Sequence, residues 1–207
     1  DITLTGLSTT NTTTSAVSIT STAGKLIDAG DAATDIVANG VGARTTLSAV
    51  TGIGTAGAID TQIANLVATN SGTAGNIEIN ETDALVIRNA AQTNAGTSTG
   101  NIDITAAGAV TVEATGTGGT GVTIDGLAAS AGSITLAATG TGNSLSVAHS
   151  VTSKAGAITL RGGDNVSFTT AGDVTSTTGN VTVTGNYLGG VDTVGAITLD
   201  AGATINA

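Results

Sequence analysis

The chain has no Cys, no Pro, no Met and no Trp, and it holds one Tyr (Tyr187), one Phe (Phe168) and one His (His149). Without Cys there is no disulfide scaffold, no thiolate nucleophile and no Cys-ligated metal centre. Without aromatics there is no bulky core of the kind that fills a wide sandwich, where a large buried ring is a common hallmark. Without Pro nothing interrupts a ladder of strand hydrogen bonds. Basic residues are scarce as well: 5 Lys and Arg stand against 15 Asp and Glu, for a net charge of −10. A nucleic-acid surface needs clustered Lys and Arg, so that class is set aside, and an anionic membrane surface is disfavoured on the same ground. No run of 18 apolar residues occurs, so no transmembrane helix is expected.

What remains is small, branched and alternating. Of the 207 residues, 40% are hydrophobic and 31 are Gly; the apolar set is almost entirely Ala, Val, Ile and Leu. In Gly100-Asn101-Ile102-Asp103-Ile104-Thr105, Ile102 and Ile104 point to one side and Asp103 and Thr105 to the other. After the corner Ala106-Ala107-Gly108, Val110 and Val112 repeat that alternation. Period two with β-branched residues marks half-buried strands.

The phrase recurs. A frame of Gly, a small or amide residue, Ile or Val, any residue, then an aliphatic begins at Gly75, Gly100, Gly132, Gly156, Gly179 and Gly195, with Gly57-Ala58-Ile59-Asp60-Thr61 as a degenerate first copy. Successive frame glycines lie 18, 25, 32, 24, 23 and 16 residues apart. Between them fall further short strands at Ala84 to Ile87, Val110 to Val112, Val122 to Ile124, Leu145 to Val147 and Val166 to Phe168. Self-similarity at this period means a solenoid, propeller or array. The intervals fall short of the roughly 40 residues of a four-stranded propeller blade, but they fit one coil of two or three short strands. The expected fold is therefore all-β: a right-handed parallel β-helix (β-solenoid) with two to three short strands per coil. It forms one segment over 1–207, irregular in 21–56, where a helical turn near Asp31 to Ala38 is weighed and strands with loops are preferred. Nine or ten coils at about 4.8 Å would give a rod about 45 Å long. The long 100–132 interval places a corner expansion at Thr115 to Gly121. The chain opens directly in strand pattern at Asp1-Ile2-Thr3-Leu4, which suggests a segment of a longer or polymeric fibre. Joining Ala203 to Ala207 onto that start would continue the alternation.

The phrases Gly100 to Val112 and Gly156 to Phe168 resemble the repeats of filamentous-haemagglutinin-type bacterial exoproteins. Gly52 to Thr61 and Glu81 to Ile87 resemble the β-strand-repeat segments of giant bacterial surface adhesins. The resemblance covers roughly residues 50–207 and is one of repeat style; the amino-terminal secretion domain of that family, with its capping motif, is not recognised here. It implies a right-handed parallel β-helix carried outside the cell, secreted or attached to the surface, as the shaft of an adhesin or fibre. Partners would be copies of itself, end to end or as neighbouring fibres, or a host or matrix surface.

Candidate chemistry is sparse. Asp60, Glu78 and Asp103 share one frame position in three copies, so stacking would align three carboxylates. Like charges in register repel, and a Ca²⁺ ion held by such oxygens is weighed against simple solvation. Thr135, Thr159, Thr182 and Thr198 continue that position. Gly116 to Asp125 lacks the Asp that the Gly-rich Ca²⁺ nonapeptide needs and reads as a corner. His149 sits at a strand end between Ser146 and Ser150, with nothing to mark a nucleophile or an orienting acid. The basic residues Lys25, Arg44, Arg88, Lys154 and Arg161 are dispersed, and no convergent carboxylate pair for sugar hydrolysis is visible. No catalytic, cofactor-binding or metal residue is therefore assigned, and an enzyme is not expected. Thr-x-Thr pairs such as Thr3-Leu4-Thr5 and Thr182-Val183-Thr184 raise ice binding, though not at a constant frame position. Asn11, Asn80, Asn165 and Asn180 stand in sequons, and Asn76, Asn101 and Asn180 share a position that could form a corner amide ladder. A self-assembling matrix filament and a glycan- or ice-binding module are the other readings.

Overall fold

The computed structural model describes residues 1–55, 57–94, 96, 98–113, 120–124, 130–188 and 195–207. Among them every regular element is a strand and every pairing is parallel. The column that runs through the stack is Ile2, Leu26, Ile53, Ile77, Ile102, Ile134, Ile158 and Val181, each bonded to the next. Those eight residues mark eight levels and seven steps, so the chain is a parallel β-solenoid of about seven turns. It is shorter than the nine or ten coils expected: seven steps of about 4.8 Å span about 34 Å.

The first three levels carry β1 (Ile2–Leu4), β2 (Leu7–Ser8) and β3 (Val17–Thr20), then β4 (Leu26–Asp28), β5 (Ile36–Ala38) and β6 (Arg44–Ala49), then Ile53 with β7 (Ile59–Ile63) and β8 (Asn65–Asn70). The fourth holds only β9 (Ile77–Glu81) and the long β10 (Leu85–Gln92). The fifth and sixth hold β11 (Ile102–Ala106), β12 (Val110–Val112), β13 (Gly121–Ile124), β14 (Ile134–Ala138), β15 (Leu145–Val147) and β16 (Val151–Ser153). The last two hold β17 (Ile158–Gly162), β18 (Val166–Phe168), β19 (Val174–Ser176), β20 (Val181–Thr184), β21 (Ile197–Leu199) and β22 (Ile205–Asn206). Two or three short strands per coil is thus what the stack has. Segment 21–56 belongs to it, and strand β5 lies in the stretch 31–38 where a helical turn was weighed.

The cross-section changes at the fourth level. In the first three levels the face containing β9 (face one) is interrupted, between Leu4 and Leu7, between Asp28 and Ile36, and between Ile53 and Ile59. In β9 the two pieces fuse, because Ile77 continues from Ile53 while Ile79 to Glu81 continue from β7. The opposite face is unbroken through β3, β6, β8 and β10. It then splits: Leu85 to Ile87 pair with β12, and Asn89 to Gln92 pair with β13. The register shift between Ile87 and Asn89 sits at this fork. There the Arg88 Nε donates to Asn65 Oδ1 at 2.9 Å and its guanidinium meets Glu113 at 3.3 Å.

Alternation explains the interior. Three-residue strands read buried, half-buried, buried, as in Val110–Val112, Leu145–Val147 and Val166–Phe168. The inward ladders Ile79, Ile104, Leu136, Leu160 and Val110, Leu145, Val166 are sealed by the coils above and below. Each such aliphatic side chain contributes about 1.5–3 kcal/mol when fully buried. Because a level packs only on its neighbours, stability accumulates by nearest-neighbour terms.

The frame glycine has a steric cause. A Cβ on Gly100 would run into the carbonyl oxygen of Gly75, one on Gly132 into Gly100, one on Gly156 into Gly132 and one on Gly179 into Gly156. The corners stack too closely to admit a side chain. A buried polar residue ties the same corner. Ser153 Oγ donates to the Gly132 carbonyl at 3.1 Å and accepts the Gly156 N–H at 3.2 Å. Ser176 does the same for Gly156 and Gly179 at 3.0 and 2.9 Å. In the middle levels Asn70 and Gln92 take over, bonded to each other at 2.8 Å and both to the Gly75 carbonyl. The Ser-x-x-Gly spacing of 153–156 and 176–179 was the sequence signal for this tie.

Two frame copies fall elsewhere than expected. Ile59 pairs with Ile79, not Ile77, so Gly57 to Thr61 sits two residues out of frame, and Ile53 takes the frame's aliphatic position with Thr51 in place of its glycine. Ile197 pairs with Val166, which places Gly195 to Leu199 on the opposite face. The corner expected at Thr115 to Gly121, and the rejected nonapeptide Gly116 to Asp125, fall mostly outside the described residues. Only Thr120 to Ile124 are seen, with Gly121 opening β13. Strands β22 and β1 occupy different faces of the coil, so joining the two ends would need a corner and not one continuous strand.

Candidate functional site

Face one carries two outward rows. One is Glu78, Asp103, Thr135, Thr159 and Thr182, in direct register. The other is Asn80, Thr105, Ala137, Arg161 and Thr184. Five residues separate Ile53 from Ile59 where only Glu78 separates Ile77 from Ile79, and of these Gly54 and Ala58 lie beside the rows. Gly54 has φ +74°, and a Cβ there would lie 3.0 Å from that of Glu78. Here lies a shallow depression of about 300 Å³ lined by Ala58, Glu78, Ile79, Asn80, Asp103 and Thr105.

The three-carboxylate column is corrected to a pair. Glu78 and Asp103 are register partners, but Asp60 lies opposite Asn80, whose Nδ2 donates to Asp60 Oδ1 at 2.8 Å. The two-residue slip of the Gly57 copy is the reason. Glu78 Oε1 accepts from Asn76 Nδ2 at 2.7 Å. Partial burial raises the Asp103 carboxyl above the ordinary carboxylate range, and Arg161 opposes the shift. Arg161 lies over the Tyr187 ring, 4.5 Å from its centroid, and donates to the phenol oxygen at 3.1 Å. Among the described residues no three metal-ligating side chains converge, and a pair of carboxylates falls short of the six to eight oxygens a Ca²⁺ ion takes.

The outward hydroxyls form single files. Besides Thr135, Thr159 and Thr182 there are Thr111, Ser146, Ser167 and Thr198, and Thr123, Thr152 and Thr175, the last file ending at the amide of Asn206. Thr198 thus leaves the Asp103 row for the opposite face. The second row of face one holds Ala137 and Arg161 beside Thr135 and Thr159, so the threonines make lines, not a two-dimensional lattice. Asn76 and Asn101 stack as foreseen, with Asn101 N–H donating to Asn76 Oδ1 at 3.0 Å; Ser133 N–H continues onto Asn101 Oδ1 at 2.9 Å. Of the sequon residues, Asn11 lies in an exposed corner, while Asn165 is held by Asp164 and Ala196. His149 Nδ1 is 3.1 Å from the neighbouring Ser150 Oγ at the corner between β15 and β16.

Two buried carboxylates were not singled out in the sequence. Glu81 is 1% exposed, and its Oε2 accepts from Thr61 Oγ1 at 2.7 Å and Ile63 N–H at 3.0 Å. Its Oε1 accepts the Asp83 N–H at 3.2 Å. Burial, joined by a side-chain hydrogen bond with the Asp83 carboxyl, pushes its carboxyl up to about 7 against these bonds. Asp35 is also 1% exposed, accepts the Asp60 N–H at 3.2 Å, and is pushed up to about 6 by burial and by neighbouring Asp28, Asp60 and Asp31. Strand parity was the available signal: Glu81 shares the inward parity of Ile77 and Ile79. Comparison with protein-family models, curated protein sequences and solved structures gives no match.

Proposed function

We propose that this chain is a length of shaft in an extracellular bacterial adhesin or fibre, secreted or held at the cell surface. The observation that carries the reading is the continuous parallel stack, in which every level is tied to the next by strand ladders, aliphatic columns and corner bonds. Such a body transmits load along its axis. Its outer rows of Thr, Ser, Asp and Glu keep it hydrated, and a net charge of −10 opposes side-by-side clumping. Immunogold electron microscopy of the source cells tests the reading. Label along surface fibres supports it; label confined to the cell interior overturns it.

A second reading is a glycan-binding face, favoured by the depression where Glu78, Asn80, Asp103 and Thr105 offer acceptors and donors. Glycan-array binding that Asp103→Ala abolishes would favour this reading over a passive shaft.

A further inference from the structure

The middle of the stack holds an acid where the two levels above it hold alanine. Glu81 stands in the inward column Thr61, Glu81, Ala106, Ala138, Gly162, and every member of that column is buried. The groups around it are acidic or neutral. Strand β7 brings Asp60, the turn between β9 and β10 brings Asp83, whose carboxyl shares a hydrogen bond with Glu81, and β11 brings Asp103 on the outer side. One level below β7, Asp35 is buried beside Asp60. Arg88 of β10 is engaged with Asn65 and Glu113, and β8 contributes no titratable side chain. The Glu81 carboxylate therefore leans on one hydroxyl and two N–H donors, while Asp83 accepts from Gln62 Nε2 at 3.3 Å on the same edge. An uncompensated buried charge is costly, and a neutral acid in the same place is not.

We propose that Glu81 makes levels two to four a proton-operated lock, tight when this carboxyl is protonated and loosened when it ionises. The proposal rests on the interior geometry and stands whether or not the chain serves as a shaft. The sign follows from linkage. A carboxyl raised from 4.5 to about 7 contributes stability that is fully present below about 4.5 and is lost as pH rises through about 7. The rod is thus firmest in mildly acidic surroundings and slackens across neutrality, where the β7–β9 junction opens most readily.

The test is thermal unfolding of the whole chain at pH 5 and pH 8, beside Glu81→Gln, which keeps shape and an acceptor oxygen but cannot ionise. The unmodified protein is expected to melt roughly 5–10 °C higher at pH 5, and Glu81→Gln to lose most of that difference. Equal pH responses in the two proteins overturn the proposal. Should Glu81→Gln fail to fold, the ¹³C-carboxyl titration of Glu81 in the unmodified protein decides: a midpoint near 7 upholds the lock, and one near 4.5 removes it.

Discussion

A Cβ on Gly156 would collide with the carbonyl oxygen of Gly132 one level below it. That carbonyl is also the acceptor for the buried Ser153 hydroxyl at 3.1 Å, so a larger residue at 156 disturbs both the stacking distance and the tie. Gly156→Ala is expected to cost about 2–4 kcal/mol. At Gly142, where φ is +80° and no atom lies within 4 Å of an added Cβ, the same change should cost only the left-handed backbone penalty of about 1 kcal/mol. Urea denaturation followed by circular dichroism measures both; equal losses would mean that the corner stack is not the cause.

Glu78 and Asp103 face each other across β9 and β11 as like charges in register, an arrangement that destabilises a sheet. Asp103→Asn should therefore stabilise by about 0.2–1 kcal/mol, with the gain shrinking as salt screens the pair. A double-mutant cycle should show salt-dependent coupling between Glu78 and Asp103 but none between Glu78 and Asp60, because Asp60 lies opposite Asn80 and accepts its amide. Melting temperatures at low and high salt check both. Equal coupling of Asp60 to Glu78 would restore the three-carboxylate column that the register denies.

Asp35 gives a second, smaller pH effect in the same direction as Glu81. Its carboxyl is raised from 3.8 to about 6, mainly by burial. The stability tied to its protonated form is complete below about 3.8 and disappears as pH rises through about 6. Asp35→Asn, which can still accept the Asp60 N–H, should leave stability at pH 4 nearly unchanged and raise it by about 1–2 kcal/mol at pH 8. Denaturant midpoints at the two pH values measure this, and a loss at pH 8 would show that the ionised carboxylate is compensated after all.

Period-two alternation and the recurring glycine frame made the solenoid legible before any coordinates. Ile77, Ile102, Ile134, Ile158 and Val181 stack as the frame implied. Register was harder, because a strand's pattern repeats every two residues. A slip by two keeps Ile59 inward while moving Asp60 away from Glu78, and the pairing of Ile53 with Ile77 and of Ile59 with Ile79 reveals it. Gly195 fits the frame yet belongs to the other face, since the turns between faces also favour Gly before an aliphatic pair. The corner serines were visible as Ser-x-x-Gly, but their burial depends on the coil closing behind them. Glu81 and Asp35 were passed over because acids are ordinarily solvated, and their burial comes from neighbouring levels distant in sequence.

A stack of coils joined only to their neighbours should yield one level at a time under an applied force. Single-molecule pulling from the two ends tests it most directly. The expected trace is a sawtooth in which contour length is released roughly one level at a time, in steps set by the repeat intervals of 23 to 32 residues in the second half of the chain. Smooth low-force extension without steps would contradict it.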